Sequence, residues 1–278
     1  MRAGGVFQLL RPVNAAIAFL SVVAGAATVT GLLADWRIML GALSASLVLM
    51  SGNAINDVYD LEADRVNKPY RPLPRGDLTR GEAQLVSLVL ATSAVVVGYV
   101  INFNCFLISL LYSLIFYFYA IWLKPMGFLG NVIVSSGTGV SLVFGALAVD
   151  WVNQLTLVFA LCAFILNLGR EVVKGVEDIQ GDKVRKVRTV AIQYGVHAAG
   201  NLVVLSYAIL LPISLFPFAV GYAGIGYFAA MAVADCLVAW VIREARKITE
   251  RTAAKVSGMI KIAMAWGLFA FLVGALLK

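Results

Sequence analysis

Four oxygen-bearing side chains, Asn56, Asp57, Asp60 and Asp64, close one long apolar segment of this chain, and Glu171, Asp178 and Asp182 close another. An unpaired charge beside hydrocarbon costs about 3 kcal/mol, so both clusters require positive partners. Asn56, Asp60 and Asp64 are spaced i, i+4, i+8, which predicts one face of a helix that runs on past the membrane boundary, with Asp57 a turn-edge away. Glu62 lies off that face and is expected to be solvated. A plain polar helix end, paired to Arg65 and Lys68, would give no reason for acids and an amide to keep i+4 registration. In the second cluster Glu171, Lys174, Asp178 and Asp182 recur at helical spacing with alternating sign, as a self-neutralised ladder or as a second cation site facing the first. Oxygen-only donors, in a chain whose one histidine is His197, select Mg²⁺ over zinc. Mg²⁺ takes one or two carboxylates and completes its shell with waters and substrate phosphate oxygens.

Directly after the first cluster comes Asn67-Lys68-Pro69-Tyr70-Arg71-Pro72-Leu73-Pro74-Arg75-Gly76. Its three prolines stiffen the loop, and Lys68, Arg71 and Arg75 offer donors suited to phosphate. Paired acidic clusters with adjoining cations, opening into apolar helices, describe a site for a diphosphate carrying a long greasy tail.

The elements that must position these groups are membrane spans. Of 278 residues 61% are hydrophobic and 13% charged, with mean hydropathy +0.90, against about 25% charged in soluble domains. Runs of about 20 apolar residues predict nine spans, near 14–33, 38–57, 82–101, 103–122, 129–149, 154–174, 197–217, 219–242 and 257–277. They are continuous, where barrel strands would alternate over about 10 residues. The fold class is therefore an all-α integral membrane protein, a bundle of nine transmembrane helices, read as a single unit over 1–278. Its halves repeat an acidic helix end followed by a basic loop, four helices apart. The apolar stretch after Arg2 and Arg11 reads as a retained first helix and not as a signal peptide.

Lys and Arg orient the bundle, since basic loops stay cytoplasmic. With the N-terminus inside, the inside loops are 58–81, 123–128, 175–196 and 243–256, and little beyond Arg37 and Lys278 falls outside. This predicts a multi-pass cell-membrane protein with its site facing the cytoplasm, N-terminus in and C-terminus out. The net charge of +7 is then topological and substrate-directed, and no nucleic-acid partner is needed to explain it. Cys105, Cys162 and Cys236 lack metal spacing and read as packing residues. Asp235 alone lies mid-span and is expected to hydrogen-bond another helix.

The run Asn56-Asp57-x-x-Asp60-x-x-x-Asp64, the Lys68-Pro-Tyr-Arg-Pro-Leu-Pro74 loop and Asp178-x-x-x-Asp182 closely resemble the UbiA superfamily of intramembrane prenyltransferases. Arg11-Pro12-x-Asn14, Tyr119-x-x-x-x-Lys124 and Gly130-Asn131 extend the resemblance over the whole chain. It implies Mg²⁺-dependent transfer of a polyprenyl group from its diphosphate to a lipid acceptor in the membrane. Matched residue by residue, it implies Asn56, Asp60 and Asp64, with Asp57, as the first metal motif and Asp178 and Asp182 as the second. Lys68, Arg71 and Lys124 fall where the family binds diphosphate, and Asn14 and Tyr119 where it lines the pocket. Ionising an allylic C–O bond requires the leaving diphosphate to be neutralised. The resulting cation would lie against Tyr112, Phe116, Tyr117 or Tyr119, at about 1–2 kcal/mol of cation–π attraction when dry.

Arg170-Glu-Val-Val-Lys-Gly-Val-Glu-Asp-Ile-Gln-Gly-Asp-Lys183 is most similar to the archaeal digeranylgeranylglyceryl phosphate synthases within that superfamily. That branch adds a geranylgeranyl chain from geranylgeranyl diphosphate to geranylgeranylglyceryl phosphate, the second ether bond of archaeal lipids. A phosphorylated acceptor would occupy spare cations, with Arg75, Arg170, Lys174 and Lys183 at hand. Branches that act on aromatic or ring acceptors, such as homogentisate, 4-hydroxybenzoate or chlorophyllide, share similar loops. Of other classes, a secondary transporter would hold its acids near the midplane, and the Asp-Gly-x-x-Ala-Arg signature of CDP-alcohol phosphotransferases is absent. Nothing in the sequence demands an obligatory protein partner.

Overall fold

The computed structural model describes residues 3–33 and 35–277. Arg2 and Lys278, counted above among the orienting charges, lie outside the described residues. A short α1 (Ala3–Leu10) precedes the spans α2 (Pro12–Thr30) and α3 (Trp36–Tyr59). After the short helices α4 (Leu61–Asn67) and α5 (Pro72–Arg75) come α6 (Arg80–Ile101), α7 (Phe103–Phe118), α8 (Phe128–Val149) and α9 (Gln154–Glu177). Two more short helices, α10 (Ile179–Val184) and α11 (Val190–Tyr194), lead to α12 (Val196–Ala219), α13 (Ile225–Ala245) and α14 (Glu250–Leu276). Nine helical segments among the described residues are long and apolar enough to cross a membrane, and no strand occurs among them.

Polar caps set the span ends. Asp35 accepts from the Arg37 amide, Asn102 from that of Cys105 and Asn153 from that of Thr156, while Thr79 and Glu82 form a capping box. Two expected boundaries move. The eighth span starts at Ile225, because Val220–Gly224 form a turn with Gly221 at φ 77°. The ninth starts at Glu250, capped by Thr249, so Arg251 and Lys255 are helical and the expected loop 243–256 shrinks to 246–249.

Without a hydrophobic drive between helices in lipid, close backbone approach through small residues carries association. A Cβ on Gly25 would stand 1.9 Å from the Leu142 carbonyl oxygen, and one on Gly145 1.9 Å from that of Val22. α2 and α8 therefore meet backbone to backbone at the centre of the bundle. In the second half the Tyr207 hydroxyl donates to the Leu166 carbonyl (2.7 Å) and the Tyr227 hydroxyl to that of Ser214 (2.6 Å). Asp235 meets the Ser214 hydroxyl of α12 at 2.9 Å, the interhelical bond its position predicts. Cys105 and Cys162 are buried and Cys236 is exposed.

The basic loops gather at one end of the bundle. Arg75 reaches Gln8 of α1, the Arg188 amide donates to the Pro125 carbonyl, and Gln180 reaches Glu250. At the other end Asn102 bonds the Leu147 carbonyl, Arg37 that of Val149 and Asn153 that of Thr28.

Candidate active site

Both acidic clusters are built in the same way. α3 ends at Tyr59 and α9 at Glu177, and the next residue, Asp60 (φ −87°, ψ 0°) or Asp178 (φ −99°, ψ 10°), caps the span before a short helix restarts. Backbone i+4 bonds run through the break, from Asp60 to Asn56, Asp64 to Asp60 and Lys68 to Asp64, and likewise from Asp178 to Lys174 and Asp182 to Asp178. The registration read from the sequence thus survives a helix end that the spacing does not reveal. Side chains divide within it: Asn56 donates to Asp60 (2.7 Å), whereas Asp57 and Asp64 share Arg71.

The two short restart helices, α4 and α10, pack on each other. Asn67 joins them, donating to the Asp178 carbonyl and accepting from the Gly181 amide, both at 2.9 Å. A Cβ on Gly181 would come within 2.4 Å of Asn67 Nδ2 and 2.6 Å of the Ala63 carbonyl oxygen. Only glycine lets the two acidic ends approach so closely.

Cations bridge the gap. Lys68 Nζ contacts both oxygens of Asp178 at 2.6 and 2.7 Å. Arg71 donates to Asp64 at 2.6 Å and to Asp57 at 3.1 Å, and Arg11 also pairs with Asp57. Lys124 and Arg185 both hold Asp60. On α9, Lys174 (2.8 Å) and Arg170 (3.1 Å) share Glu171. Glu62, expected to be solvated, is exposed but paired to Arg65 (2.7 Å) and Arg80 (2.9 Å), because α4 carries Arg65 one turn beyond it and α6 begins alongside.

Lys124 reaches Asp60 because α7 does not stop at Phe118. It widens into a π turn over Tyr119–Leu123 and tightens into a 3₁₀ turn at Lys124–Met126, an irregularity frequent at functional sites. The Ala120 carbonyl within this segment accepts from Arg185. Gly127 follows at φ 68°, where a Cβ would collide with the Arg188 carbonyl oxygen at 1.8 Å. The loop after the fourth span is thereby docked on the loop after the sixth.

These groups surround a cavity of about 500 Å³, within the usual range for ligand sites. Its charged mouth is lined by Asn56, Lys68, Arg71, Lys124, Asp178 and Asp182, with Arg170 and Lys174 on the α9 wall. Asn14 and Tyr119 line it too, and Val48, Leu49, Ile108, Tyr112, Phe116 and Phe144 extend its apolar wall. Tyr117, an expected cation-facing aromatic, is 43% exposed and does not line this cavity. Asp57, Asp60 and Asp64 stand behind the lining, each no more than 5% exposed. Two expected site residues lie away from it. The Arg75 side chain is half exposed and pairs with Asp77, because α5 turns it towards α1. Lys183 is exposed on α10, off the cavity lining, because its neighbour Asp182 takes the inward register.

Arg185 and Lys261 were missed as site residues. Arg185 follows Asp182 at i+3, a signal available in the sequence but absorbed into the orienting charge of its loop. Lys261 is a lone cation inside the last span, and it lines the cavity.

Burial pushes the Asp60 carboxyl upward, but Lys124 and Arg185 outweigh it, so Asp60 is held below the usual carboxylate range. For Asp64 burial prevails over Arg71, and its carboxyl is raised. Burial, with Asp178 and Asp60 nearby, lifts Asp182 to about 6 against the pull of Lys124 and Lys68. A bound divalent cation would reverse that balance.

The donor set fits Mg²⁺. The Asn56 amide oxygen is buried with no hydrogen-bond partner, a position at which a hard cation or its water would satisfy it. Asp182 has no hydrogen bond or ion pair from its carboxylate among the described residues. No three carboxylate, imidazole or thiol groups among the described residues converge into a preformed cage, in keeping with an ion that relies on few protein ligands.

The family described as the UbiA prenyltransferase family matches residues 18–276. Digeranylgeranylglyceryl phosphate synthase of Thermococcus sibiricus is 37% identical over 273 residues, covering 98% of this chain and 97% of its own length. That of Korarchaeum cryptofilum is 37% identical over 274 residues, with the same coverage. A solved structure concerned with digeranylgeranylglyceryl phosphate synthase in membranes superposes with a TM-score of 0.75 at 32% identity, covering 98% of both chains. A UbiA homologue from Archaeoglobus fulgidus, bound to GPP and Mg²⁺, shares the fold with a TM-score of 0.69 at 18% identity, over 96% of this chain and 99% of its own. Sequence, span pattern and superposition agree, and the chain belongs to the UbiA prenyltransferase family as a multi-pass membrane prenyltransferase.

Proposed function

We propose that this enzyme transfers the geranylgeranyl group of geranylgeranyl diphosphate to geranylgeranylglyceryl phosphate with Mg²⁺, making the second ether bond of archaeal membrane lipids. The observation that carries the reading is the pairing at the cavity mouth. Lys68, Arg71 and Lys124, the cations suited to diphosphate, are each bonded to a carboxylate of the metal motifs: Asp178, Asp64 and Asp60. A diphosphate entering the mouth takes these cations, and the carboxylates they leave, with Asn56 and Asp182, are those that would hold Mg²⁺. Asp57 keeps Arg11 as a partner and orients the first motif.

When bound, Mg²⁺ would add to the neutralisation of the leaving diphosphate. Lys68, Arg71 and Lys124 bind the diphosphate and stabilise its departing charge as the allylic C–O bond breaks. Tyr112, Phe116 and Tyr119 present ring faces to the allylic cation and keep water from it. The acceptor hydroxyl oxygen forms the new C–O bond, and its proton passes to the released diphosphate. Arg170 and Lys174 share the carboxylate of Glu171, and with Glu177 also on the lining the α9 wall is neutral overall, its two cations standing as donors for a phosphorylated acceptor. The same names among the relatives support this acceptor.

Purified protein with geranylgeranyl diphosphate, Mg²⁺ and a panel of labelled acceptors tests the reading. Geranylgeranylglyceryl phosphate should be prenylated. Prenylation of homogentisate, 4-hydroxybenzoate or a chlorophyllide in its place would overturn the acceptor and leave the reaction class standing.

A further inference from the structure

Lys261 is the cavity's unexplained charge. It sits in α14, eleven residues beyond Glu250 and inside the membrane-spanning segment, where a lone ammonium is costly. Every other lysine or arginine that lines the cavity is bonded to a carboxylate, whereas Lys261, among the described residues, has neither a hydrogen bond nor an ion pair. The charges that act on it from the packed elements are mostly of its own sign: Arg170, Lys68 and Arg11, opposed by Glu177. Lys261 is exposed and Glu177 does not pair with it, so its charge stays available to an anion that a ligand brings.

The helix around it has room for one. Ser257, Gly258, Lys261 and Met264 form one face of α14 along the cavity. A Cβ added to Gly258, one turn before Lys261, would meet nothing within 4 Å. Ser257 supplies a buried hydroxyl beside that space. α14 packs on α9, which carries Arg170 and Lys174 on the same cavity wall.

We propose that Lys261, with Ser257 and the open space over Gly258, binds the phosphate of the acceptor, beside the Arg170–Glu171–Lys174 group of the adjoining α9. A phosphomonoester of about two negative charges meets Lys261 there, with Arg170 and Lys174 as further donors on the cavity lining. The diphosphate is bound separately, by Lys68, Arg71 and Lys124. This placement rests on the reading of the acceptor as a phosphorylated glycerol ether.

The test uses the full chain in nanodiscs with geranylgeranyl diphosphate and Mg²⁺. Lys261→Met should raise the KM for geranylgeranylglyceryl phosphate about tenfold or more, on the scale of a lost charge-assisted bond to phosphate, and leave the KM for geranylgeranyl diphosphate within about twofold. Lys261→Arg should restore most of the loss. Gly258→Leu, which fills the open space without touching the charge, should raise the same KM. On the unaltered protein, amine-reactive labelling of Lys261 should be slowed by geranylgeranylglyceryl phosphate and not by geranylgeranyl diphosphate, a readout that holds even if a variant folds poorly. An unchanged acceptor KM in Lys261→Met, an equal rise in both KM values, or protection by the diphosphate alone overturns the site. If the unaltered enzyme ignores geranylgeranylglyceryl phosphate altogether, the acceptor reading itself fails, a result separate from any of these.

Discussion

Lys68, in the loop after the second span, bonds both carboxylate oxygens of Asp178, at the end of the sixth, at 2.6 and 2.7 Å. These residues are 110 positions apart, and the bridge joins the basic loop after one acidic helix end to the other acidic helix end. Both side chains are largely buried, so removing either one strands the other.

Lys68→Met and Asp178→Asn should therefore be strongly non-additive. Lys68→Met should lower turnover about 10–100-fold and Asp178→Asn at least about 100-fold, and the double variant should be little worse than Asp178→Asn alone, as for groups that act as a unit. Steady-state kinetics on the four proteins measures the coupling. Multiplicative losses would mean that the two residues act independently.

Metal dependence follows from the donor set. Turnover should vanish with excess chelator and return with Mg²⁺. Asp60→Asn, Asp64→Asn, Asp178→Asn and Asp182→Asn should each reduce it at least about 100-fold, the scale of losing a principal electrostatic stabiliser. Asparagine is the proper replacement, because it keeps the carboxylate's volume and one acceptor oxygen for Lys124 with Arg185, or for Arg71, whereas alanine would add a void to the lost charge. Full activity in chelator would sink the assignment.

Arg75 and Lys174, equivalent as spare cations in the sequence, should separate in experiment. Lys174 lines the cavity and Arg75 does not. Lys174→Met should raise the KM for geranylgeranylglyceryl phosphate about tenfold, while Arg75→Gln should leave it within about twofold. Acceptor titrations at saturating diphosphate distinguish the two.

The orientation of the bundle is testable by labelling. In a Cys236→Ser background, chosen because Cys236 is the exposed native thiol, cysteines at Arg65 and Gln180 should react only from the cytoplasmic side and one at Val220 only from outside. Reaction of Arg65→Cys and Gln180→Cys from opposite faces would contradict the contact between α4 and α10.

Gly181→Val should loosen that contact. Its added carbons fall on Asn67 and Ala63, an overpacking that typically costs about 1–3 kcal/mol. A lower Tm in detergent, with a fall in activity that exceeds the loss of folded protein, is the expected result.

Membrane character, nine spans and two oxygen-rich helix ends were legible in the sequence. Each is a local property: apolar length is measured along the chain, and i+4 spacing sets which residues share a face before anything packs. The family resemblance was legible for the same reason, since its motifs are contiguous runs at Asn56–Pro74 and Asp178–Asp182. Partner choice was not local. Which cation neutralises which acid depends on how α4 meets α10 and where the π turn after α7 delivers Lys124, and spacing carries neither. The sequence offers Arg75 as a phosphate-binding cation and Arg185 only as an orienting loop charge, yet α5 turns the first away to Asp77 while the second holds Asp60. Lys261 carried a signal of its own, a cation within an apolar span, but only the tertiary structure shows that it lines the cavity with Arg170 and Lys174 and has no ion pair among the described residues. Hydrophobic period places a residue on a helix face, and the packing of that helix decides what the face confronts.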